Sequence, residues 1–258
     1  MYHRRMCGRY ALILPPEAVR GFFGHAERPN FPPRYNIAPT QPVPVVRALD
    51  GVRRFDLMRW GFIPGWVKDL KDFPLVINVR SETAREKPSF RAAFMRRRCL
   101  MPADGFYEWH RVGAENRPYL FRRPDHGPFA FAALWETWHS ADGSEIDTVA
   151  LLNTHANGLM SAVHHRCPVI LEPSLFDRWL DPATSTDDAF AMMQTPAEDL
   201  LEIVRITPLV NKVVHDGPEV QQAWRDGDGP RPTAEKPSKP VRTRSRGGNA
   251  GGGQGSLF

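Results

Sequence analysis

PVPVVRALDGVRRFDLMRW (42–60) decides the fold class. Two runs rich in valine, arginine and aromatic residues meet at Asp50-Gly51, a pair suited to the left-handed backbone of a tight hairpin turn. Four further stretches read as β-rich runs separated by turn residues: CLMPADGFYEWHRV (99–112), RPYLFRR (117–123), FAFAALWETW (129–138) and IDTVALLNT (146–154). Between them, PPEAVRGFF (15–23) opens on prolines and carries apolar residues at helical spacing. KPSFRAAFMRRR (87–98) reads as a helix with Phe90 and Phe94 on one face. PSLFDRWL (173–180), 186–193 and 196–202 read as short helices. Strands cluster without regular βαβ alternation. That pattern predicts an α+β fold: an antiparallel sheet or partly closed β-barrel core with short flanking helices, in a single domain.

The chain has 258 residues, 41% hydrophobic and 24% charged, enough for one domain with a substantial core and a remainder. No run of ~18 apolar residues occurs, so no membrane span is expected. The opening residues, with early arginines and a broken apolar stretch, do not read as a signal peptide. Three widely spaced cysteines form neither a disulfide framework nor a metal-type pair, which predicts a reducing, cytoplasmic setting and no metal. Of 34 basic and 29 acidic side chains, six and one lie beyond residue 229, leaving the first 229 residues balanced at 28 of each. The net charge of +5 therefore belongs to the stretch 230–258, rich in Pro, Gly, Lys and Arg, which reads as a disordered basic tail. Residues 1–5 read as a leader or a mis-called start, and 6–229 as the working domain.

Cys7 follows Met6 directly. Exposed by removal of Met6, it would carry an amine (pKa ~7.7–8.0) and a thiol (pKa ~8.5) on adjacent carbons. Such a 1,2-aminothiol captures an aldehyde first as a Schiff base and then closes a five-membered thiazolidine. In INVRSET (77–83), Asn78 and Arg80 would share one face of a strand, suiting an amide that positions a reacting group and a guanidinium that grips phosphate. GFYEW (105–109) sets Glu108 among aromatic residues, where a carboxyl tends to hold its proton toward neutral pH. VHHRCPVIL (163–171) offers His164 and Arg166 before an apolar run, and RWGFIPGW (59–66) offers Trp66 after a Pro-Gly bend, where a ring could stack on a base. Each has a plainer reading as well: a buried structural cysteine, a glutamate satisfied by an arginine, a hydrogen-bonding histidine, a core tryptophan.

Taken in order, MCGRY, RYNIAPTQ, RWGFIPGW, INVRSET, PSF, RRCLMPADGFYEW and VHHRCPVIL resemble the SRAP family (SOS-response-associated peptidase, or abasic-site processing proteins), from Met6 to about Ile206. The resemblance implies an α+β fold with a basic groove for single-stranded DNA, and suicide capture of abasic sites by an N-terminal cysteine. It implies Cys7 as nucleophile, Asn78 holding the amine and the opened sugar, Glu108 moving protons, and His164 assisting proton transfer and reversal. Arg9, Pro39, Trp66, Arg80, Thr154 and Arg166 match positions lining the groove. It further implies thiol chemistry of peptidase or lyase type without a cofactor, in a monomer associated with the nucleoid. Three departures stand out: MYHRR precedes the usual initiator, Cys167 stands where the family usually has Met, and Val79 replaces Ala. At the end of the chain, QGSLF resembles the Gln-x-x-Leu-Phe peptide that binds the bacterial sliding clamp, with Gln254 as polar anchor and Leu257 and Phe258 filling an apolar pocket.

Two readings from other classes compete: a thiol-dependent peptidase acting on its own leader, and a single-strand DNA-binding module without chemistry. The aminothiol chemistry requires a free α-amine, so intact-mass analysis of protein from its native host should show a chain beginning at Cys7. A chain retaining Met1 that still forms thiazolidine adducts would contradict it.

Overall fold

The hairpin at 42–60 forms strands β3 (Pro42–Leu49) and β4 (Val52–Trp60), paired from Pro42↔Arg59 to Leu49↔Val52. Asp50 (φ 51°) and Gly51 (φ 75°) both take left-handed backbone, as the two-residue turn requires. The computed structural model describes residues 7–225, apart from the side chain of Asp72. Residues 1–5 and the tail from 230, including Gln254, Leu257 and Phe258, lie outside the described residues. The chain divides into two units after Trp224, and the strands and helices named here all belong to the first.

The remaining strands are β1 (Tyr10–Leu12), β2 (Arg34–Ile37), β5 (Asn78–Arg80), β6 (Arg98–Ala103), β7 (Gly105–Val112), β8 (Glu115–Arg122), β9 (Phe129–His139), β10 (Glu145–His155), β11 (Arg166–Pro168), β12 (Ile170–Leu171) and β13 (Glu202–Arg205). Five of them close on themselves in the order β10-β4-β3-β6-β9, with β9 pairing back to β10. All seams of this barrel are antiparallel except β4–β10, which runs parallel at Thr148↔Arg59 and Val149↔Trp60. Closure leaves these strands without a free edge, which removes the hazard of unpaired backbone groups. Where β4 ends, β5 takes over the same side of β10, again in parallel, with Leu151↔Asn78 and Asn153↔Arg80.

A second, antiparallel sheet in the order β13-β8-β7-β1-β2 covers the barrel. The layers meet on rings: Tyr10 lies edge-on to Trp60 at 5.4 Å and to Phe131 at 5.9 Å, and Phe106 meets Phe131 at 5.8 Å. Edge-to-face pairs of this kind add ~0.5–1.5 kcal/mol beyond their buried area. Around Phe131, Ala130, Ala132 and Ala133 are fully buried, and such small side chains let neighbouring layers approach closely.

The helices are short and peripheral. Helix α1 (Pro16–Phe23) has Pro in its first turn and stops at Gly24 (φ 69°), whose N–H returns to the Arg20 carbonyl at 2.9 Å. Helix α2 is the single turn Ser81–Ala84, and α3 (Pro88–Arg96) buries Phe94 and half-buries Phe90. Helix α4 (Gly158–Ser161), α5 (Phe176–Leu180) and α6 (Thr186–Ala191) complete the set.

The helix expected at 196–202 does not form; the segment is a non-helical connection into β13. Tertiary bonds take it instead. The Glu198 carboxylate accepts the N–H groups of Gly158 (2.7 Å) and Leu159 (2.9 Å) at the start of α4, and Asn157 Nδ2 donates to the carbonyls of Pro196 and Ala197. Because Phe131 is fully buried between both layers, Phe131→Ala should lower stability by about 3–5 kcal/mol, read from urea unfolding. A loss below about 1 kcal/mol would mean the aromatic seam is not what joins the layers.

Candidate active site

Strand register brings the first site residues together. Tyr10 pairs with Phe106 and Ala11 with Gly105, and the Tyr107 N–H reaches the Arg9 carbonyl at 3.0 Å. Extending this antiparallel register sets the start of the chain opposite Glu108, and the Cys7 main-chain nitrogen donates to Glu108 Oε1 at 2.5 Å. Glu108 is buried, as are Phe106 and Tyr107 beside it. From the barrel side, β5 delivers Asn78, whose Nδ2 lies 3.5 Å from the Cys7 carbonyl oxygen. The amide thus lies beside the main chain of Cys7, the residue it is expected to position. Cys7 itself has φ 36°, a left-handed conformation that costs an L-residue ~1–2 kcal/mol.

The Cys7 side chain is fully buried. Burial pushes its thiol well above the ordinary value, and the negative charge of Glu108 pushes the same way. It is therefore a neutral thiol near pH 7, not a standing thiolate. Burial also lifts the thiol of neighbouring Cys167 to about 12, so it too is neutral near pH 7, and its Sγ lies 3.0 Å from the His155 carbonyl.

His164 sits in the turn that enters β11, buried, its ring stacked on His165 at 4.5 Å. Its Nδ1 lies 3.1 Å from the Arg166 N–H and 3.2 Å from the Arg166 carbonyl. The neutral ring accepts from that N–H, which leaves its proton on Nε2; the charged ring donates from Nδ1 to the carbonyl instead. Either charge state finds a partner in the same turn.

The positions expected to line a strand-binding groove fall into two groups. Arg80 is exposed, Trp66 is 61% exposed at the end of a turn with its edge on Phe73 (5.6 Å), and Pro39 is half-buried beside Thr40, itself at φ 73°. The other group is engaged inside the protein. Arg9 is half-buried and donates to Asn36 Oδ1 (3.0 Å) and the Val210 carbonyl (2.7 Å). Thr154 is buried within β10. Arg166, expected to grip phosphate, is buried and turned inward: its guanidinium donates to both carboxylate oxygens of Glu82, to Asn153 Oδ1 and to the Asn153 carbonyl. A buried guanidinium needs counter-charge and acceptors, and these supply them.

Sequence reasoning passed over Glu82, Asn153, Asn36 and Asp216. Asn36 Nδ2 donates to the carbonyls of Val210, Lys212 and His215, while Asp216 Oδ1 accepts the N–H groups of Tyr35 and Asn36 at 2.7 Å each. The 210–216 loop is thereby fastened to β2. Only Glu82 carried a signal, lying in the same short motif as Asn78 and Arg80. Among the described residues no group of three or more His, Cys, Asp or Glu could hold a metal, and no helix is long and apolar enough to cross a membrane.

A family model described as SOS response associated peptidase (SRAP) matches residues 6–213. The chain is 34% identical over 223 residues to the abasic site processing protein YoqW of Bacillus subtilis (strain 168), covering 83% of this chain and 98% of the relative. It is 28% identical over 262 residues to the abasic site processing protein HMCES of Gallus gallus, covering 83% and 76% respectively. A crystal structure of a protein from Bacteroides thetaiotaomicron superposes with a TM-score of 0.77 at 25% identity, over 84% of this chain and all of that one.

The Arg166 pair sets a pH dependence. Hydrogen bonding from Arg166 pulls the Glu82 carboxyl from 4.5 to about 2, with the nearby His155 acting in the same direction. A depressed folded-state value means the pair stabilises the fold fully above pH 4.5 and loses that contribution as pH falls toward 2. Arg166→Gln should return the Glu82 midpoint toward 4.5 in a carboxyl carbon NMR titration and flatten the acid dependence of stability. An unmoved midpoint would show that Arg166 does not hold Glu82.

Proposed function

The chain belongs to the SRAP family, and from that premise we propose that it captures abasic sites in single-stranded DNA covalently, through the α-amine and thiol of Cys7. One observation carries this reading: a buried carboxylate, Glu108, is aimed at the main-chain nitrogen of Cys7 at 2.5 Å. A site built around a thiol alone has no use for an acid–base group on that nitrogen. Removing the residues before Cys7 turns the nitrogen into an amine and abolishes φ, so the left-handed strain at Cys7 disappears with them.

The ring-opened abasic sugar presents an aldehyde. The amine, freed of its extra proton by Glu108, adds to the carbonyl carbon and gives a carbinolamine. Glu108 returns that proton to the hydroxyl, which leaves as water, and a protonated Schiff base remains. The Cys7 sulfur then attacks the iminium carbon, its proton passing to Glu108, which is a carboxylate again, as the C–S bond forms and the electron pair returns to nitrogen. The product is a thiazolidine, with one water lost and nothing oxidised or reduced. A thiol held neutral by burial suits this order, because Glu108 becomes a base again at the moment it is needed. A thiol peptidase needs a standing thiolate; the push on Cys7 is in the opposite direction.

Asn78 would fix the Cys7 carbonyl and with it the direction of the amine. His164, able to hold or give up a proton in place, would serve proton transfer and reversal. Arg80 and Trp66 would meet the strand directly, with Pro39 and Arg9 beside them, while Arg166 and Thr154 support the wall from within. The QGSLF end would tether the protein to a sliding clamp, a reading that rests on sequence alone.

A chain beginning at Cys7, mixed with a single-stranded oligonucleotide bearing one abasic site, should give a denaturant-resistant adduct whose mass is the sum of both less one water. Cys7→Ser should give none. Glu108→Gln should slow adduct formation by about 10²-fold or more while affinity for undamaged oligonucleotide stays the same. An adduct with Cys7→Ser, or an unchanged rate with Glu108→Gln, would overturn the scheme.

A further inference from the structure

A cavity of about 220 Å³ opens between the turn that follows Pro39 and the segment 70–75. Its walls include Thr40, Arg59, Gly61, Leu70, Phe73 and Leu75. The walls are apolar and aromatic, yet one of them is a cation. Arg59 is half-buried, donates from NH1 to the Gly61 carbonyl at 3.0 Å, and pairs with no carboxylate among the described residues. Elsewhere in the domain, Arg47, Arg53, Arg97, Arg122 and Arg166 each meet an Asp or Glu. A partly buried guanidinium that meets no carboxylate among the described residues suits an anion from outside.

The floor of the cavity is prearranged. Gly61 has φ 148°, and a Cβ there would come within 2.6 Å of both Arg59 NH1 and Leu75 Cδ1, so only glycine leaves room for the two walls. Thr40 at the rim keeps a left-handed φ of 73°, held by its N–H on the Trp60 carbonyl at 2.8 Å. Strain in a non-glycine residue at a cavity mouth is the kind that clusters at ligand sites. Phe73 links this wall to exposed Trp66, whose ring it meets edge-on.

We propose that this cavity is a nucleotide subsite: it takes one nucleobase of the bound strand against Phe73 and Leu75, and Arg59 binds the phosphate attached to that nucleotide. The size fits. At about 220 Å³ it is smaller than the ~300–1,000 Å³ of drug-sized sites, on the scale of one planar ring. Apolar walls give sequence tolerance, because every base has a face to stack, and the single cation fixes where the backbone runs. The inference rests on the strand-binding part of the function proposed above, and it adds a contact reached through neither Cys7 nor Arg80.

The test uses undamaged single-stranded oligonucleotide and the full chain, so it reads the subsite even if Cys7 forms no adduct. Arg59→Gln should weaken binding about tenfold, the scale of one such contact, and reduce the slope of log affinity against log salt by about 0.7. Arg59→Lys should restore the slope. Leu75→Trp, which fills the cavity, should weaken binding while keeping the slope. 2-Aminopurine at successive positions should change its emission at one position on binding the parent protein, and fail to do so with Leu75→Trp. Thermal melting of each variant checks that the fold is kept. If Arg59→Gln and Leu75→Trp, both folded, bind with the parent's affinity and slope, the subsite does not exist; Arg59→Lys then gives an independent check on whether charge at this position matters at all.

Discussion

A carboxylate buried beside Phe106 and Tyr107 has to be met by a donor, and Glu108 is met by the main-chain nitrogen of a residue 101 positions earlier. Left unmatched, such a charge costs several kcal/mol. Most of the architecture near the site serves to complete that contact. The β1–β7 register aligns the two segments, the ring seam of Tyr10, Trp60 and Phe131 presses the outer sheet onto the barrel, and parallel pairing of β5 with β10 brings Asn78 to the Cys7 carbonyl.

The electrostatics around Cys7 hold its sulfur in the neutral form. Burial pushes the thiol up, and the Glu108 carboxylate pushes the same way. Just past β5, Glu82 neutralises Arg166 so that β11 and the His164 turn can lie buried. The two carboxylates have different partners. Glu108 accepts from a main-chain nitrogen, whereas Glu82 holds a buried guanidinium.

Much of the fold could be read from the chain because its signals are local. Asp50-Gly51 announces a hairpin, prolines open α1 and α3, and apolar runs mark the barrel strands. What escaped reading was set by distant partners. Residues 196–202 have helical spacing, yet Glu198 and Pro196 are claimed by the start of α4. Arg166 resembles a phosphate contact in sequence, and nothing local shows that Glu82 and Asn153 already occupy it. Trp66 could have been core or surface; the Pro64–Val67 turn leaves it outside. For the site, residue types in short motifs pointed to Cys7, Asn78, Glu108 and His164, but which atom of Cys7 each would face depended on register, which composition does not encode.

The fastening of β2 by Asp216 bears on when in a protein's life the site exists. Asp216 accepts from Tyr35 and Asn36 across 180 residues or more, and Asn36 in turn secures Arg9. A ribosome delivers the first strand long before the loop that locks it. Contacts so distant in the chain close late, after much of the loop entropy has been overcome. The emerging polypeptide therefore presents Cys7 early, while Glu108, Asn78 and the 210–216 loop are still to come. Assembly order itself leaves the surroundings of Cys7 incomplete until the domain is nearly whole.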